Sequence, residues 1–222
     1  LNAVRIFNEK EVDELMVLDI DASYEGNVPD YNLISNLANE CCMPLCYGGG
    51  VKTVEQFDQI ITLGVEKVSI SSAAVNNPDF ISRAAERVGS QSVAVAIDVK
   101  RTGFKKKPEV VILNGKQYTG LEPADWAKQV QEIGAGEIIL NSVDCDGAMS
   151  GYDFGLIDMV RAAVTLPLTV LGGAGTLSDH SALIRRYGII GAAAGSLFVF
   201  KGKYRAVLIN YPNREEKEQL FK

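Results

Sequence analysis

Residues 30–53 read DYNLISNLANECCMPLCYGGGVKT, and residues 153–176 read DFGLIDMVRAAVTLPLTVLGGAGT. At a shift of 123 positions, Asp30, Leu33, Ile34, Pro44, Leu45, Gly49, Gly50 and Thr53 meet identical residues. Their mates are Asp153, Leu156, Ile157, Pro167, Leu168, Gly172, Gly173 and Thr176. Chance predicts about one or two such identities in a window of this size, so the chain carries an internal repeat. Each copy places apolar residues at helical spacing before a short apolar run that glycines close, which reads as a helix leading into a buried strand.

Outward from the repeat, similar apolar runs recur at 15–20, 44–47, 67–71, 93–97, 137–141, 167–171 and 189–194. Amphipathic stretches alternate with them, and the runs are apolar on both faces. That alternation predicts a parallel sheet covered by helices, not an antiparallel sandwich. The chain opens on a helical pattern at 4–11 and has no initiator methionine. An eighth strand is therefore expected before Leu1, outside this chain, to complete an α/β fold of the (β/α)8 TIM-barrel type, made of two homologous half-barrels. One domain over residues 1–222 is the economical reading. An irregular insert at 101–120, with a short hairpin candidate at 110–113, follows the strand 93–97. The tail 214–222 reads as a charged final helix.

Composition narrows the function. With 22 Lys+Arg against 28 Asp+Glu, the net charge of −6 offers no basic field for a nucleic-acid backbone. Four cysteines, Cys41, Cys42, Cys46 and Cys145, match neither a disulfide framework nor a zinc spacing, which fits a reducing cytoplasm. A lone histidine, His180, makes a histidine-ligated metal or a histidine relay improbable. No apolar run approaches the roughly 18 residues of a membrane span, and no signal segment is expected.

Gly48, Gly49 and Gly50 close one strand, and Gly172, Gly173 and Gly175 close its repeat mate. The next strand in each half ends at Ser71 and Ser72, or at Gly195 and Ser196. Backbone amides freed by glycine, beside a helix start, favour phosphate. Two cradles in opposite halves predict a ligand phosphorylated at both ends. Asp98 follows the apolar run 93–97, where barrel enzymes place catalytic groups, and is the candidate acid–base; pairing with nearby Lys100 and Arg101 is the structural alternative. Asp19, Asp21, Asn141, Asp144 and Asp146 end other strands at the same face as a polar ring. Asp144 and Asp146 form too sparse a set for a cation, and no metal is expected. Lys105, Lys106 and Lys107 read either as a phosphate clamp or as a solvated charge run.

Glu14, Lys67 and Glu137 each begin an apolar strand at the opposite face. If they converge, the lysine pairs with both carboxylates, either as a stabilising bridge or as a polar gate for a small neutral molecule.

Several segments in order resemble one family: Leu18-Asp-Ile-Asp-Ala-Ser23, Gly48-Gly-Gly50, Val68-Ser-Ile-Ser-Ser-Ala-Ala-Val75, Gly89-Ser-Gln91, Val95-Ala-Ile-Asp98, Gly134-Ala-Gly-Glu137, Asp144-Cys-Asp-Gly147 and Gly172-Gly-Ala-Gly175. Together they resemble the cyclase subunit of imidazole glycerol phosphate synthase over nearly the whole chain. The resemblance implies a (β/α)8 barrel that needs no cofactor and takes ammonia from a glutaminase docked at its N-terminal face. It further implies conversion of a bis-phosphorylated ribulosyl aminoimidazole carboxamide ribonucleotide to imidazole glycerol phosphate and the purine precursor. Asp98 matches one of two family catalytic aspartates, and the second belongs to the first strand. Gly50, Ser72, Gly173 and Ser196 fall on the phosphate loops, Asp19 and Asp146 match mouth carboxylates, and Glu14, Lys67 and Glu137 match three gate residues.

Departures mark a branch. Leu171 stands where the family pattern has serine, Ser71 where it has asparagine, and Ala194-Gly-Ser-Leu-Phe-Val-Phe-Lys201 replaces the usual run. With Asn2-Ala-Val-Arg-Ile-Phe-Asn8 and Lys203-Tyr-Arg-Ala-Val-Leu-Ile-Asn-Tyr-Pro212, these features are similar to the branch associated with surface-polysaccharide synthesis. There the barrel is expected to help pass ammonia to a separate sugar amidotransferase, with little cyclase chemistry of its own. A phosphate-sugar-binding barrel without partners is the third reading.

Overall fold

The computed structural model describes residues 1–202 and 204–221. Lys203 and Lys222, which fall in segments read above, lie outside the described residues. In chain order the strands are β1 (Leu15–Leu18), β2 (Leu45–Gly48), β3 (Lys67–Ile70), β4 (Val93–Thr102), β5 (Lys107–Ile112), β6 (Gln117–Tyr118), β7 (Glu137–Ser142), β8 (Leu168–Leu171), β9 (Gly191–Ala192), β10 (Phe200–Lys201) and β11 (Ala206–Val207). The main path, β1-β2-β3-β4-β7-β8-β9, is parallel throughout. Helices lie between consecutive strands of that path, as the apolar runs predict.

The sheet is curled. Flat strands at about 4.8 Å spacing would hold β2 and β7 roughly 14 Å apart. Instead, Cys46 of β2 and Ile139 of β7 share one buried cluster with Ala94, flanked by Met16 and Ala96. A cavity of about 580 Å³ borders both edge strands, touching Glu14 and Met16 on one side and Gly191 and Ala192 on the other. This is the architecture of a (β/α)8-type barrel.

Alternation along the strands divides the core in two. Tyr47, Val68, Ile70, Val95, Ile97, Ile138, Leu140 and Val170 point outward and pack against the helices in the main core. Several inward positions are small, Cys46, Ala94, Ala96 and Gly191, and stand with the larger Ile139 and Met16. A Cβ on Gly191 would stand 2.0 Å from Thr169 Oγ1, so β9 approaches β8 only because the residue lacks one.

The repeat is visible in the helix starts. Asp30 Oδ1 accepts from the Leu33 amide at 3.0 Å, and Asp153 Oδ1 from the Leu156 amide at 3.1 Å. Thr53 and Thr176 each begin a helix through a capping box, closed by Gln56 and Asp179 respectively. Three of the eight repeated residues are therefore helix caps or the amide partner of one. Burial does not follow the repeat everywhere: Leu156 is 3% exposed, whereas Leu33 is 46% exposed.

Three differences from the sequence reading stand out. The strand at 93–97 runs on to Thr102 and folds back as an antiparallel hairpin with β5, which β6 extends. The expected short hairpin at 110–113 is thus the far arm of a longer one, because β-branched Val99 and Thr102 face Val110 and Lys107 across the ladder. At the other end, the run 189–194 yields only two strand residues, since Gly188 and Gly191 weaken it. The final helix is shorter than expected, Arg214–Gln219.

Phe57 is fully buried and meets Phe80 edge-on at 6.3 Å. Phe57→Ala is expected to destabilise the fold by about 3–5 kcal/mol, against about 0.5–2 kcal/mol for Asp30→Ala. Urea unfolding of the three proteins reads both values.

Candidate functional site

At the C-terminal ends of the strands a cavity of about 200 Å³ opens to solvent. Asp98 sits in its wall. Asp19, Gly49, Gly50, Ser71, Ser72, Asn141 and Asp146 border the same space, so most of the residues read from the sequence converge. Ala96, Ile139 and Ser69 form its inner end, where it meets the small-residue core.

Two neutral side chains hold the Asp98 carboxylate. Asn141 Nδ2 donates to Oδ1 at 2.8 Å, and the Ser71 hydroxyl donates to Oδ2 at 3.1 Å. Asn141 is the register partner of Asp98 on the neighbouring strand β7, which brings the two side chains to one face of the sheet. The structural alternative, pairing with nearby cations, is not what forms. Lys100 donates to the Gly115 carbonyl, and Arg101 pairs with Asp153 at 2.7 Å. Burial pushes the Asp98 pKa up; the bonds from Asn141 and Ser71 oppose that rise, and the charge of Asp146 adds to it.

Glycine closes both halves in the same way. Gly49 has φ +121° and Gly172 φ +89°, and a Cβ there would lie 2.4 Å from the Asp19 carbonyl oxygen and 2.5 Å from that of Ser142. Each strand end is therefore pressed onto the loop after its neighbour, at a backbone conformation that side chains disfavour. One-turn helices follow at Ser72–Asn76 and Ser196–Val199, equivalent in the two halves. The cradles differ in their surroundings. Gly49, Gly50, Ser71 and Ser72 border the cavity with Asp98, whereas Gly172, Gly173, Gly195 and Ser196 do not line it. Gly172 nevertheless lies against the Asn141 side chain, and Gly195 has open space where a Cβ would be.

Sequence reasoning missed the hairpin's part. Leu113 donates its amide to Ser72 Oγ at 3.1 Å, and Asn114 and Gly115 close one side of the cavity. Lys116 then sits 3.0 Å from the ring centre of Tyr24, across the mouth. The run of three positive φ values at Leu113, Asn114 and Gly115 makes this bend, and the single glycine in it gave no clear signal. Lys105, Lys106 and Lys107 stand exposed around the hairpin tip, as a solvated charge run does. In the polar ring, Asp144 accepts from the Arg101 amide at 2.8 Å while Asp146 faces the cavity, and Asp21 precedes the short helix Ala22–Glu25.

Glu14, Lys67 and Glu137 converge at the opposite end of the barrel. Lys67 Nζ reaches Glu14 at 2.9 Å and Glu137 at 2.7 Å. Thr169, absent from the sequence reading, donates to the other oxygen of Glu137 at 2.6 Å. Burial lowers the lysine's pKa, but hydrogen bonds to Glu137 and Glu14 outweigh it, so the ammonium is held in its charged form. Cys46 lies above this network; burial and the two carboxylates push its thiol up to about 12. It stays protonated at neutral pH.

Among the described residues no helix is long and apolar enough to cross a membrane. A profile of the family described as "Histidine biosynthesis protein" matches residues 1–205. A Leptospira interrogans protein, provisionally named imidazole glycerol phosphate synthase subunit HisF, is 59% identical over 221 residues, covering 100% of this chain and 87% of its own length. The protein named imidazole glycerol phosphate synthase subunit HisF in Dictyoglomus turgidum is 43% identical over 197 residues, 88% of this chain and 77% of its own. Its counterpart in Alkaliphilus metalliredigens is 42% identical over 194 residues, 87% and 77% respectively.

Because its folded pKa is raised, Asp98 opposes folding once pH climbs through the ordinary carboxylate range toward that raised value. Asp98→Asn is expected to melt at a higher temperature than the parent at pH 7. The difference should shrink as pH falls below the range in which exposed carboxylates titrate, and calorimetric scans across pH check it.

Proposed function

Since the chain belongs to the histidine biosynthesis protein family, we propose that it works as the cyclase subunit of an imidazole glycerol phosphate synthase. In this reading ammonia joins a bis-phosphorylated ribulosyl aminoimidazole carboxamide ribonucleotide, which is cleaved and cyclised to imidazole glycerol phosphate with release of the purine precursor. The observation that carries the reading is one continuous arrangement. Asp98 lines a solvent-open cavity that shares Ala96 and Ile139 with the inner cluster, and Cys46 and Ala94 of that cluster are the register partners of Lys67 and Glu137 in the ion network.

Each part has a task. The backbone around Gly49 and Gly50, with Ser72, takes one phosphate; the equivalent loops at Gly172–Gly173 and Gly195–Ser196 take the other. Between them the reacting carbons lie over Asp98. Burial raises its pKa from the ordinary carboxylate value, which suits a carboxyl that gives and takes protons as ammonia addition and ring closure require. Asp19 and Asp146 add acceptors for substrate hydroxyls. Ammonia comes from a glutaminase partner at the face that carries Lys67. Neutral and small, it passes Cys46, Ala94 and Ala96, where a hydrated ion would be excluded. No cofactor takes part.

A second reading has its own support. Leu18, Ile20, Val143 and Leu171 give the cavity mouth an apolar portion. An apolar outlet suits a barrel that hands ammonia on to a sugar amidotransferase in surface-polysaccharide synthesis.

Purified protein assayed with ammonium salt and the ribonucleotide separates the two. The cyclase reading expects imidazole product and a loss of about 10²-fold or more in Asp98→Asn; absence of product in the parent supports the conduit. With a glutaminase supplied, Lys67→Ala is expected to keep ammonium-driven turnover while glutamine consumption and product formation fall out of step. Unchanged coupling would reject the gate.

A further inference from the structure

Asp98 is a deeply set carboxyl with no cationic partner, and the cations nearest in sequence are engaged elsewhere. Its two partners, Asn141 and Ser71, share a property that lysine and arginine lack: each can donate or accept. The second end of Asn141 is the informative atom. Oδ1 is sealed from solvent and accepts no hydrogen bond, although buried amides ordinarily use both ends. It lies 2.9 Å from where a Cβ on Gly172 would be, so the glycine leaves it room. The amide can therefore turn over about its last bond without breaking any bond that Oδ1 holds.

We propose that Asn141 and Ser71 are positioning residues that follow the proton on Asp98. With Asp98 ionised, both donate to it, as in the structure. With Asp98 protonated, Asn141 turns so that Oδ1 accepts the new Asp98 O–H, and the Ser71 hydroxyl keeps its bond to the second oxygen. The proton arrives from the ammonia adduct or a substrate hydroxyl and returns to the substrate, so no other reactant is involved. A cation in place of Asn141 would hold Asp98 ionised and end the shuttle. This inference rests on Asp98 being the acid–base group of the reading above, and names what lets it change state.

Infrared difference titration of the ligand-free protein reads Asp98 directly, with Asp98→Asn identifying its bands. In Asn141→Leu the ionised form loses its stronger, charge-assisted bond, so the Asp98 midpoint is expected to move to higher pH. The carbonyl band of the protonated acid should shift too, because its O–H loses an acceptor. Ser71→Ala should move the midpoint the same way by less, and it serves if Asn141→Leu fails to fold. The pH profile of kcat with ammonium should follow the midpoint, with kcat down about 10- to 100-fold in Asn141→Leu. An unmoved midpoint, or an unshifted acid band in a folded variant, overturns the proposal. The titration needs no substrate: shifted bands with no imidazole product would sink the cyclase reading alone, and normal turnover with unmoved bands would sink this one alone.

Discussion

A carboxyl group set deep in protein is stable as an anion only if something compensates for lost water, and the choice of compensation fixes its chemistry. Asp98 is compensated by an amide and a hydroxyl. An arginine would have stabilised the fold more and left the group inert. Much of the surrounding structure serves that choice: β7 places Asn141 in register, β3 ends at Ser71, and Arg101 and Lys100 are drawn off to Asp153 and Gly115.

The same economy governs the barrel's interior. Outward-facing strand residues are large and seal the helices onto the sheet, while the inward cluster sets Cys46, Ala94 and Ala96 beside Ile139 and Met16. At the lower end of that interior stand charged residues from separate strands. Glu14, Lys67 and Glu137 neutralise one another in part, and Thr169 occupies the carboxylate oxygen that Lys67 leaves. Polar and charged residues thus stand at both ends of an apolar interior, an arrangement that stability alone does not call for.

What could be read from the chain was what depends on nearby residues. Asp30, Thr53 and their mates cap helices a few positions away, and Gly49 and Gly172 meet a backbone demand made at their own position. The strand order followed from the alternation of apolar runs. Beyond the convergence of Glu14, Lys67 and Glu137, contacts between separate elements could not be read: Ser71 with Asp98, Thr169 with Glu137, and Lys116 over Tyr24. Nor could the reach of β4, whose outer half alternates charged residues with Val99 and looks like a loop until β5 pairs with it. Leu33 and Leu156 make the limit plain, since an identical residue at an equivalent position is half exposed in one half and buried in the other.

The hairpin also changes the mechanical standing of Asp98. Groups at the rim of a barrel usually hang where a strand frays into a loop, but Asp98 is laddered on both sides, to Val111 of β5 and to Asn141 of β7. Its main chain lies in mid-ribbon, four residues short of the turn. The rim beyond can therefore be lengthened or trimmed without tugging on the main chain that carries this carboxyl.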